Sequence, residues 1–510
     1  MVSRADVAVV LAAALPLALF AVTERSVAGT SGFPLDDSWI HLHFARNLAE
    51  GAGFSYNPGR PVAGSTAPLW TLLLAGGSVV AGASVMVVKA LGVACALGAA
   101  VLTRRAALAW GAPPTVALVA AVALLWTGPI AWGALSGMEV TLAAMLVAGA
   151  LVAHATGRTW LTALLSGLAV TARPEAALLL PFLLVARPIT LGRIVAFVVV
   201  PAIVVAPMVA FSYATVGAPY PATAAAKVEG GLIGWLGGLR EPLATTLIGR
   251  PWAFVREWAS WLWLTHMLLA IVLVPAIVVT WRRAGRSLGI VGLALLAHPL
   301  GMALLAPYRG PGFQEGRYSI HLLPLAVLTI AVAFAGRRGA ATREPAGDRD
   351  APTLPATRGL GRTPTLAGVA WLALAIGALV PAATRYGWAV QNINAMQVHL
   401  GHWVDKELPK NARIALNDIG AIAFFSRREI IDLMGLVTPE IIPYRRRGET
   451  GVMEYVSETC PEYLIIFPAW FPRLAASTET LQPIYRVRLE RNEVAGAAEM
   501  VVYRLLRCAV

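Results

Sequence analysis

Long apolar runs separated by short polar loops fill the first three quarters of the chain. A helix rises ~1.5 Å per residue and the hydrocarbon core of a bilayer is ~30 Å thick, so most of these runs are long enough to span a membrane. The pattern predicts about 11 spans, at approximately 7–22, 85–103, 113–131, 139–155, a broken pair within 160–186, 194–213, 260–281, 288–306, 319–336 and 365–384.

Two of these apolar stretches do not follow the simple pattern. The run 67–83 contains three glycines, and counting it as a span would move Arg104 and Arg105 to the outer side of the membrane. We therefore predict a helix that lies in the outer interface. The stretch 160–186 is too long for one span and is interrupted by TARPE (171–175), which favours a hairpin of two short helices.

The pattern changes after residue 384, where short strand-like runs that alternate with helical stretches replace the long apolar runs. We predict strands at Arg413–Leu416, Glu429–Leu433, Tyr463–Pro468, Tyr485–Leu489 and Met500–Leu505, with a helix at Val452–Thr459. Such alternation is typical of a small α/β domain. The predicted fold class is therefore mainly α: a polytopic membrane helical bundle with a C-terminal extracytoplasmic α/β domain.

Composition supports this organisation. Hydrophobic residues make up 57% of the 510 residues and charged residues only 14%, whereas soluble domains carry roughly 25% charged residues. The net charge of +13 comes largely from arginines just beyond apolar runs, where the positive-inside rule places cytoplasmic loops. The charge thus indicates membrane orientation, and we expect no nucleic-acid partner.

The chain divides into two predicted domains. Residues 1–384 form the transmembrane domain, which includes a first external loop (23–84) and a cytoplasmic linker (337–364), and residues 385–510 form the extracytoplasmic domain. Cys460 and Cys508 both fall in this second domain, where a disulfide is possible, but the sequence leaves their pairing open.

The first external loop carries the strongest chemical signal. It contains two adjacent carboxylates, Asp36 and Asp37, at the start of a helical pattern. Aspartate is a favoured helix cap, so a capping role explains one of them. Adjacent residues do not share a helix face, so at most one can point into a site, where it would act as a general base for a hydroxyl group.

Other ionisable residues lie at the ends of apolar runs or within them. Glu139 opens a span in a Ser-x-x-Glu pattern typical of a capping box, or contributes an acid to a substrate or metal site. Arg173 and Glu175 form an internal ion pair or line a cavity, since charges at membrane depth are costly.

Basic and aromatic residues follow later in the chain at the predicted outer face. Lys227 is either solvated among lipid headgroups or meets a phosphate. Arg317, with Tyr318 beside it and His321 one turn on, is either a snorkelling residue or a phosphate ligand, for which its planar fork of donors is suited.

The stretch DDSWIHLHFARNLAEGAGFSYNPGRPVAGSTAPLW (36–70) resembles the first external loop of polytopic glycosyltransferases of the GT-C superfamily. The branch it most resembles contains the terminal cell-wall arabinofuranosyltransferases. Similarity extends, in order, to SGMEV (136–140), TARPEA (171–176), PYPATAAAK (219–227) and GRYSIHLLPL (316–325).

This resemblance implies an enzyme that transfers a sugar from a polyprenyl-phosphate donor to a glycan, lipid or protein acceptor. It implies Asp36 as first candidate for the base and Asp37 as second, with Arg317 holding the lipid phosphate. Glu139, Arg173, Glu175, Lys227, Tyr318 and His321 are the further substrate-binding candidates. A divalent metal ion is a candidate cofactor, its ligands unknown, and no nucleotide cofactor is implied.

We therefore expect a multi-pass glycosyltransferase of a bacterial inner membrane that acts on its outer face, with inversion at the anomeric carbon. The alternative is a transporter or lipid flippase of an envelope-glycan pathway, since broken helices with buried charge also occur in transporters. A transporter of this kind usually has an inverted repeat, which the sequence lacks. A scaffold role would leave the acid pair unexplained.

Overall fold

The protein is described by a computed structural model over residues 3–335 and 362–508. A bundle of helices carries a small mixed sheet at its C-terminal end, so the predicted fold class is confirmed. The predicted linker 337–364 lies outside the described residues except at its C-terminal end, which begins the last membrane helix. The predicted division at 384/385 stays a prediction.

The helices of the membrane part follow one another with few irregular segments. They are α1 (Arg4–Ala12), α2 (Ala14–Ala28), α3 (Asp36–Ala49), α4 (Pro68–Ala81), α5 (Val85–Ala109), α6 (Pro114–Leu125), α7 (Gly128–Leu135), α8 (Val140–Ala155), α9 (Thr159–Ala172), α10 (Leu180–Val185), α11 (Leu191–Val216), α12 (Ala222–Lys227), α13 (Gly231–Leu236), α14 (Arg250–Thr265), α15 (Met267–Ala284), α16 (Arg286–Leu305), α17 (Phe313–Gly316), α18 (Leu323–Phe334) and α19 (Arg362–Ile393).

Within the described residues, seven helical segments are long and apolar enough to cross a membrane, or up to eight if the bent pair α6 and α7 is one span. The predicted number of about 11 spans is therefore not confirmed. The other three predicted spans are apolar helices too short to meet that criterion. They are α8, α9, and α10 together with the 3₁₀ turn (Pro174–Leu179) that precedes α10. The chain is nevertheless a multi-pass membrane protein.

One predicted span has the wrong boundaries. The run 260–281 predicts a single helix, but the chain breaks at His266, whose backbone is extended (φ −169°). The residues before the break belong to α14, and the spanning helix α15 begins at Met267. The His266 ring lies within 3.0 Å of the Trp371 carbonyl oxygen, which ties the break to the last membrane helix.

The broken stretch within 160–186 forms two short helical segments that return towards their starting point. Arg187 donates hydrogen bonds to the carbonyl oxygens of His154 and Ala155 at the end of α8. Arg193 lies 3.4 Å from the Thr159 hydroxyl at the start of α9. The turn of this hairpin, at residues 173–175, therefore lies at the opposite end, beside the start of α8.

The first external loop forms two helices of different character. Helix α3 is largely buried, whereas α4 exposes an apolar face that includes Val79 and Val80, 70% and 87% exposed. An amphipathic helix with this exposed apolar stripe fits the predicted position in the outer interface, where the stripe meets lipid.

The C-terminal domain contains a five-stranded sheet with helices between its strands. Its elements are α20 (His399–Glu407), β1 (Arg413–Leu416), α21 (Gly420–Ser426), β2 (Glu429–Asp432), α22 (Ile442–Arg445), α23 (Glu449–Thr459), β3 (Tyr463–Ile466), α24 (Pro472–Ala475), β4 (Leu481–Arg488) and β5 (Glu499–Leu505). The strand order is β2-β1-β3-β5-β4. Strands β1, β2 and β3 are parallel to one another, and β5 pairs antiparallel with both β3 and β4.

Helices cover both faces of this sheet because alternate strand residues point to opposite sides. Leu416 and Ile465 pack with α20 and α21 on the face that meets the first external loop. Ala415 and Leu464 pack with α23 and α24 on the other face. The predicted α/β domain is thus a three-layer arrangement joined to the bundle through one of its helical layers.

Cys460 and Cys508 form a disulfide, with Cα atoms 5.1 Å apart. The bond ties the end of α23 to the residues after β5 and closes a loop of 48 residues.

Replacing both cysteines by serine should destabilise the C-terminal domain by about 2–4 kcal/mol, because the cross-link removes entropy from the unfolded chain. The measurement is the rate at which trypsin cleaves this domain in the purified protein. The buried Cys95 supplies the control: Cys95→Ala should leave that rate unchanged. Equal rates for wild type and the double serine variant would contradict a stabilising role.

Candidate active site

A polar cavity lies where the first external loop meets the membrane helices and the C-terminal domain. Its volume is about 170 Å³. Seven of the nine site residues predicted from the sequence line it: Asp37, Glu139, Arg173, Glu175, Lys227, Arg317 and Tyr318. The fold therefore brings together residues as distant in the chain as Asp37 and Arg317, which are 280 positions apart.

Asp37 is the first-loop carboxylate that faces this cavity. Its Oδ2 accepts a hydrogen bond of 2.6 Å from Arg317 Nη1, and Lys227 Nζ lies 3.8 Å from the same oxygen. Burial opposes its ionisation, but the charges of Lys227 and Arg317 outweigh that effect and hold the pKa of Asp37 well below its usual range. Asp37 is therefore ionised and paired with two cations.

Asp36 points away from the cavity, into the C-terminal domain. Its carboxylate accepts backbone hydrogen bonds from Gly420 (2.6 Å) and Ala421 (2.8 Å), the first two residues of α21. The approach is so close that a Cβ at Gly420 would lie 2.1 Å from the Asp36 carbonyl oxygen. Asp36 thus caps a helix, but a helix of the other domain rather than its own.

Asp418 is a buried carboxyl that the sequence reasoning missed. It interacts with Asp36, and its Oδ2 accepts a 2.6 Å hydrogen bond from Gln397 Nε2. Burial, reinforced by the neighbouring Asp36 charge, raises the pKa of Asp418 well above its usual value. Burial also raises the pKa of Asp36, to about 6. Asp36 and Asp418 thus form a buried carboxyl pair in which burial favours the protonated forms.

A second charged group also lines the cavity. Arg173 pairs with Glu139, and its Nε lies 3.2 Å from Glu175 Oε2. The other Glu139 oxygen is 3.4 Å from His41 Nε2. Arg173 and Glu175 thus form the ion pair that the sequence suggested, and that pair lines the cavity.

Tyr318 separates the two charged groups, and His321 does not reach the cavity. The guanidinium carbons of Arg173 and Arg317 lie 4.6 Å and 5.2 Å from the centre of the Tyr318 ring. His321 is 1% exposed and packs edge-on against His298, with ring centres 5.4 Å apart.

Several lining residues were not predicted from the sequence: His41, Ser65, Thr223, Tyr308 and Leu436. His41 had a readable signal, since it lies four residues after Asp37 and so on the same face of α3. Leu436 had none, because it comes from the C-terminal domain. The Thr223 hydroxyl donates to the Gly64 carbonyl oxygen and lies 3.2 Å from that of Leu436, joining three segments.

The arrangement does not fit a metal site. No cluster of three or more metal-ligating side chains occurs within residues 3–335 and 362–508. Two carboxylates of the cavity are already paired with arginines: Asp37 with Arg317, and Glu139 with Arg173. The divalent metal implied by the family resemblance stays a prediction, and none of the chemistry below depends on it.

Solved structures of low sequence identity share this architecture. ArnT from Cupriavidus metallidurans, solved in the apo state and bound to undecaprenyl phosphate, is 14% identical with a TM-score of 0.56, and the match covers 98% of this chain and 98–99% of that chain. The oligosaccharyltransferase AglB from Archaeoglobus fulgidus is 12% identical with a TM-score of 0.57, covering 90% of this chain and 69% of that one.

The chain shares their fold. This confirms the fold implied by the resemblance of the first external loop to GT-C glycosyltransferases. The arabinofuranosyltransferase AftD from Mycobacteria matches with a TM-score of only 0.47 over 41% of its length, so the branch stays a prediction.

Sequence comparisons add one finding. Residues 390–503 match a family described as "Domain of unknown function (DUF8728)", which spans most of the C-terminal domain. Curated protein sequences give no match.

The carboxyl pair predicts a pH dependence of stability. Because folding raises the pKa of Asp418, its contribution to stability is present while it is protonated and is lost as the pH rises through the raised value. Unfolding temperatures of the purified protein should therefore fall as the pH rises above about 4, the ordinary pKa of an aspartate, towards the raised value. In Asp418→Asn, whose amide cannot ionise, this part of the fall should disappear.

Asp405→Asn is the matched control for this experiment. Asp405 lies in the same domain, but its hydrogen bond with Lys410 lowers its pKa, so the variant should keep the loss of stability with rising pH. Parallel curves for wild type and Asp418→Asn would contradict a raised pKa of Asp418.

Proposed function

We propose that this protein is an integral membrane glycosyltransferase that uses a polyprenyl-phosphate sugar as donor. The observation that carries the proposal is the convergence of Asp37, Arg317 and Lys227 in one cavity formed by the first loop and membrane helices. Those three groups supply what glycosyl transfer from a lipid phosphate requires: a carboxylate for the acceptor hydroxyl and cations for the phosphate.

Arg317 and Lys227 are the proposed phosphate ligands. In the structure Asp37 accepts a hydrogen bond from one nitrogen of Arg317, Nη1, and a phosphate oxygen would make the same charge-assisted hydrogen bond. Binding of the donor phosphate would draw these cations away from Asp37. The loss of two neighbouring positive charges would raise the pKa of Asp37 and make it a better base.

Asp37 is the proposed general base, in preference to Asp36. Asp37 lines the cavity with 28% of its side chain exposed, whereas Asp36 is committed to two backbone donors of α21. This preference reverses the order implied by the family resemblance. Asp36 instead positions α3, and through it the neighbouring Asp37.

The proposed reaction is a single displacement with inversion. Asp37 accepts the proton of the acceptor hydroxyl, whose oxygen forms a bond to the anomeric carbon. The bond from that carbon to the phosphate oxygen breaks, and polyprenyl phosphate leaves with the electron pair. Arg317 and Lys227 stabilise the charge that develops on this leaving group. Arg173, Glu139 and Glu175 form the wall proposed to bind sugar hydroxyls.

One feature supports the outer face of a bacterial inner membrane as the location. The Cys460–Cys508 disulfide belongs to a domain that contacts the cavity, and disulfides persist in oxidising compartments. Solved structures of the same fold hold lipid phosphates: ArnT was bound to undecaprenyl phosphate, and AglB was in complex with a dolichol-phosphate and an inhibitory peptide. A lipid-linked donor and a glycan, lipid or protein acceptor are the corresponding proposals here.

Asp37→Asn tests the assignment of the base. Sugar transfer should fall by about 10²–10⁴-fold, the usual contribution of a general base, while the unfolding temperature stays near that of wild type. The assay is release of polyprenyl phosphate from a panel of polyprenyl-phosphate sugars.

Asp36→Asn is the comparison variant, and its main effect should be a lower unfolding temperature. Full activity of Asp37→Asn, with loss of activity at unchanged stability in Asp36→Asn, would assign the base to Asp36. No release of polyprenyl phosphate from any donor by the wild type, together with movement of the lipid across a vesicle membrane, would favour the transporter alternative.

Arg317→Gln tests the phosphate site. Affinity for polyprenyl phosphate should fall by about 10-fold to 100-fold, because a charge-assisted hydrogen bond is lost. Arg385→Gln serves as control, since Arg385 is also paired with a glutamate, Glu315, but does not line the cavity. Equal affinities for Arg317→Gln and wild type in a binding titration would reject the phosphate role.

A further inference from the structure

A second polar crevice lies on the opposite side of the first external loop from the candidate active site. It has a volume of about 550 Å³ and lies between the C-terminal end of α3, the C-terminal end of α4 and α21. Arg46 and Arg427 contribute its positive charge, and Phe424 and Phe425 its aromatic surface. Arg46 lies nine residues after Asp37, about 14 Å along α3, so this α3–α4–α21 crevice is separate from the cavity.

The crevice contains buried polar groups without partners. Arg46 is 6% exposed; it donates to the Phe424 carbonyl oxygen (2.6 Å) and lies 3.1 Å from the His43 ring, but its Nε has no hydrogen-bond partner in the described chain. Ser78, 7% exposed, likewise leaves its hydroxyl without a partner among the described residues. Buried donors are normally satisfied, so two of them in one crevice indicate a missing acceptor.

The charges of the crevice favour an anionic acceptor. Arg427 pairs with Glu50, the only carboxylate among the crevice-lining residues, at 2.9 Å, which leaves the charge of Arg46 without a counter-ion in the lining. Burial, with the nearby Arg427, lowers the pKa of Arg46 to about 10, because these two effects outweigh the opposing charge of Glu50. Arginine remains charged at neutral pH and is well suited to bind phosphate in a fork geometry.

The surroundings of the crevice favour a lipid as the source of that anion. Val79 lines the crevice and, with Val80, belongs to the exposed apolar face of α4. A headgroup in the crevice would therefore have its acyl chains against an apolar surface at the depth of the interface. Basic pockets beside membrane helices bind anionic headgroups in this way.

We propose that the α3–α4–α21 crevice binds the phosphate headgroup of an anionic phospholipid, with Arg46 and the Ser78 hydroxyl as donors. The acyl chains lie along Val79 and Val80 of α4. The site is independent of the proposed catalytic function, and it makes the lipid a bridge between the first external loop and the C-terminal domain.

Native mass spectrometry of the full-length protein tests the proposal. Phosphatidylglycerol should bind at least about tenfold more tightly than phosphatidylcholine with the same acyl chains, and Arg46→Gln should remove this preference. Arg447→Gln is the control, an exposed arginine of the C-terminal domain that pairs with Glu454 and should behave as wild type. Equal binding of the two lipids by the wild type would overturn the proposal.

Two further variants separate the headgroup site from effects on folding and from a site for free anions. Ser78→Ala removes a donor with little loss of volume and should weaken phosphatidylglycerol binding about threefold to tenfold at an unchanged unfolding temperature. Val80→Asn, at an exposed position, should weaken binding of the phospholipid but not of inorganic phosphate. Inorganic phosphate that binds as tightly as the phospholipid, with no effect of Val80→Asn, would overturn the assignment to a lipid.

Discussion

The first turn of α3 is the point on which the site depends, because two adjacent carboxylates leave it in different directions. Successive residues of a helix point about 100° apart, so one turn can serve two surroundings at once. Asp36 binds the backbone amides of Gly420 and Ala421, and Asp37 binds Arg317. The same turn therefore joins the C-terminal domain to the membrane bundle and presents a carboxylate to the cavity.

The C-terminal domain is consequently part of the site rather than an appendage to it. The Tyr56 hydroxyl donates to the Ile419 carbonyl oxygen, and Asn57 exchanges hydrogen bonds with the backbone of Ile430, so the first loop is held along much of its length. Leu436 closes one side of the cavity. The position of Asp37 thus depends on contacts between segments almost 400 residues apart in the chain.

Features that depend on local pattern could be predicted from the sequence, and those that depend on distant contacts could not. The strand-like runs of the C-terminal domain alternate with helical stretches, and each predicted run overlaps an observed strand. The break at His266 could not be read, because hydropathy averaged over a span hides one extended residue. Asp418 carries no local signal either, since its importance comes from a partner 382 positions earlier, the difference between 418 and 36.

The last membrane helix continues well beyond the thickness of a bilayer. The segment Gly368–Glu407 is 40 residues long, or about 60 Å, twice the thickness of a hydrocarbon core. Half of its length therefore extends beyond the lipid and ends inside the packed layers of the sheet domain. Its last part, α20, packs against α21, whose first two backbone amides bind Asp36. A single layer of packing therefore separates the far end of the last membrane helix from the turn that carries both aspartates.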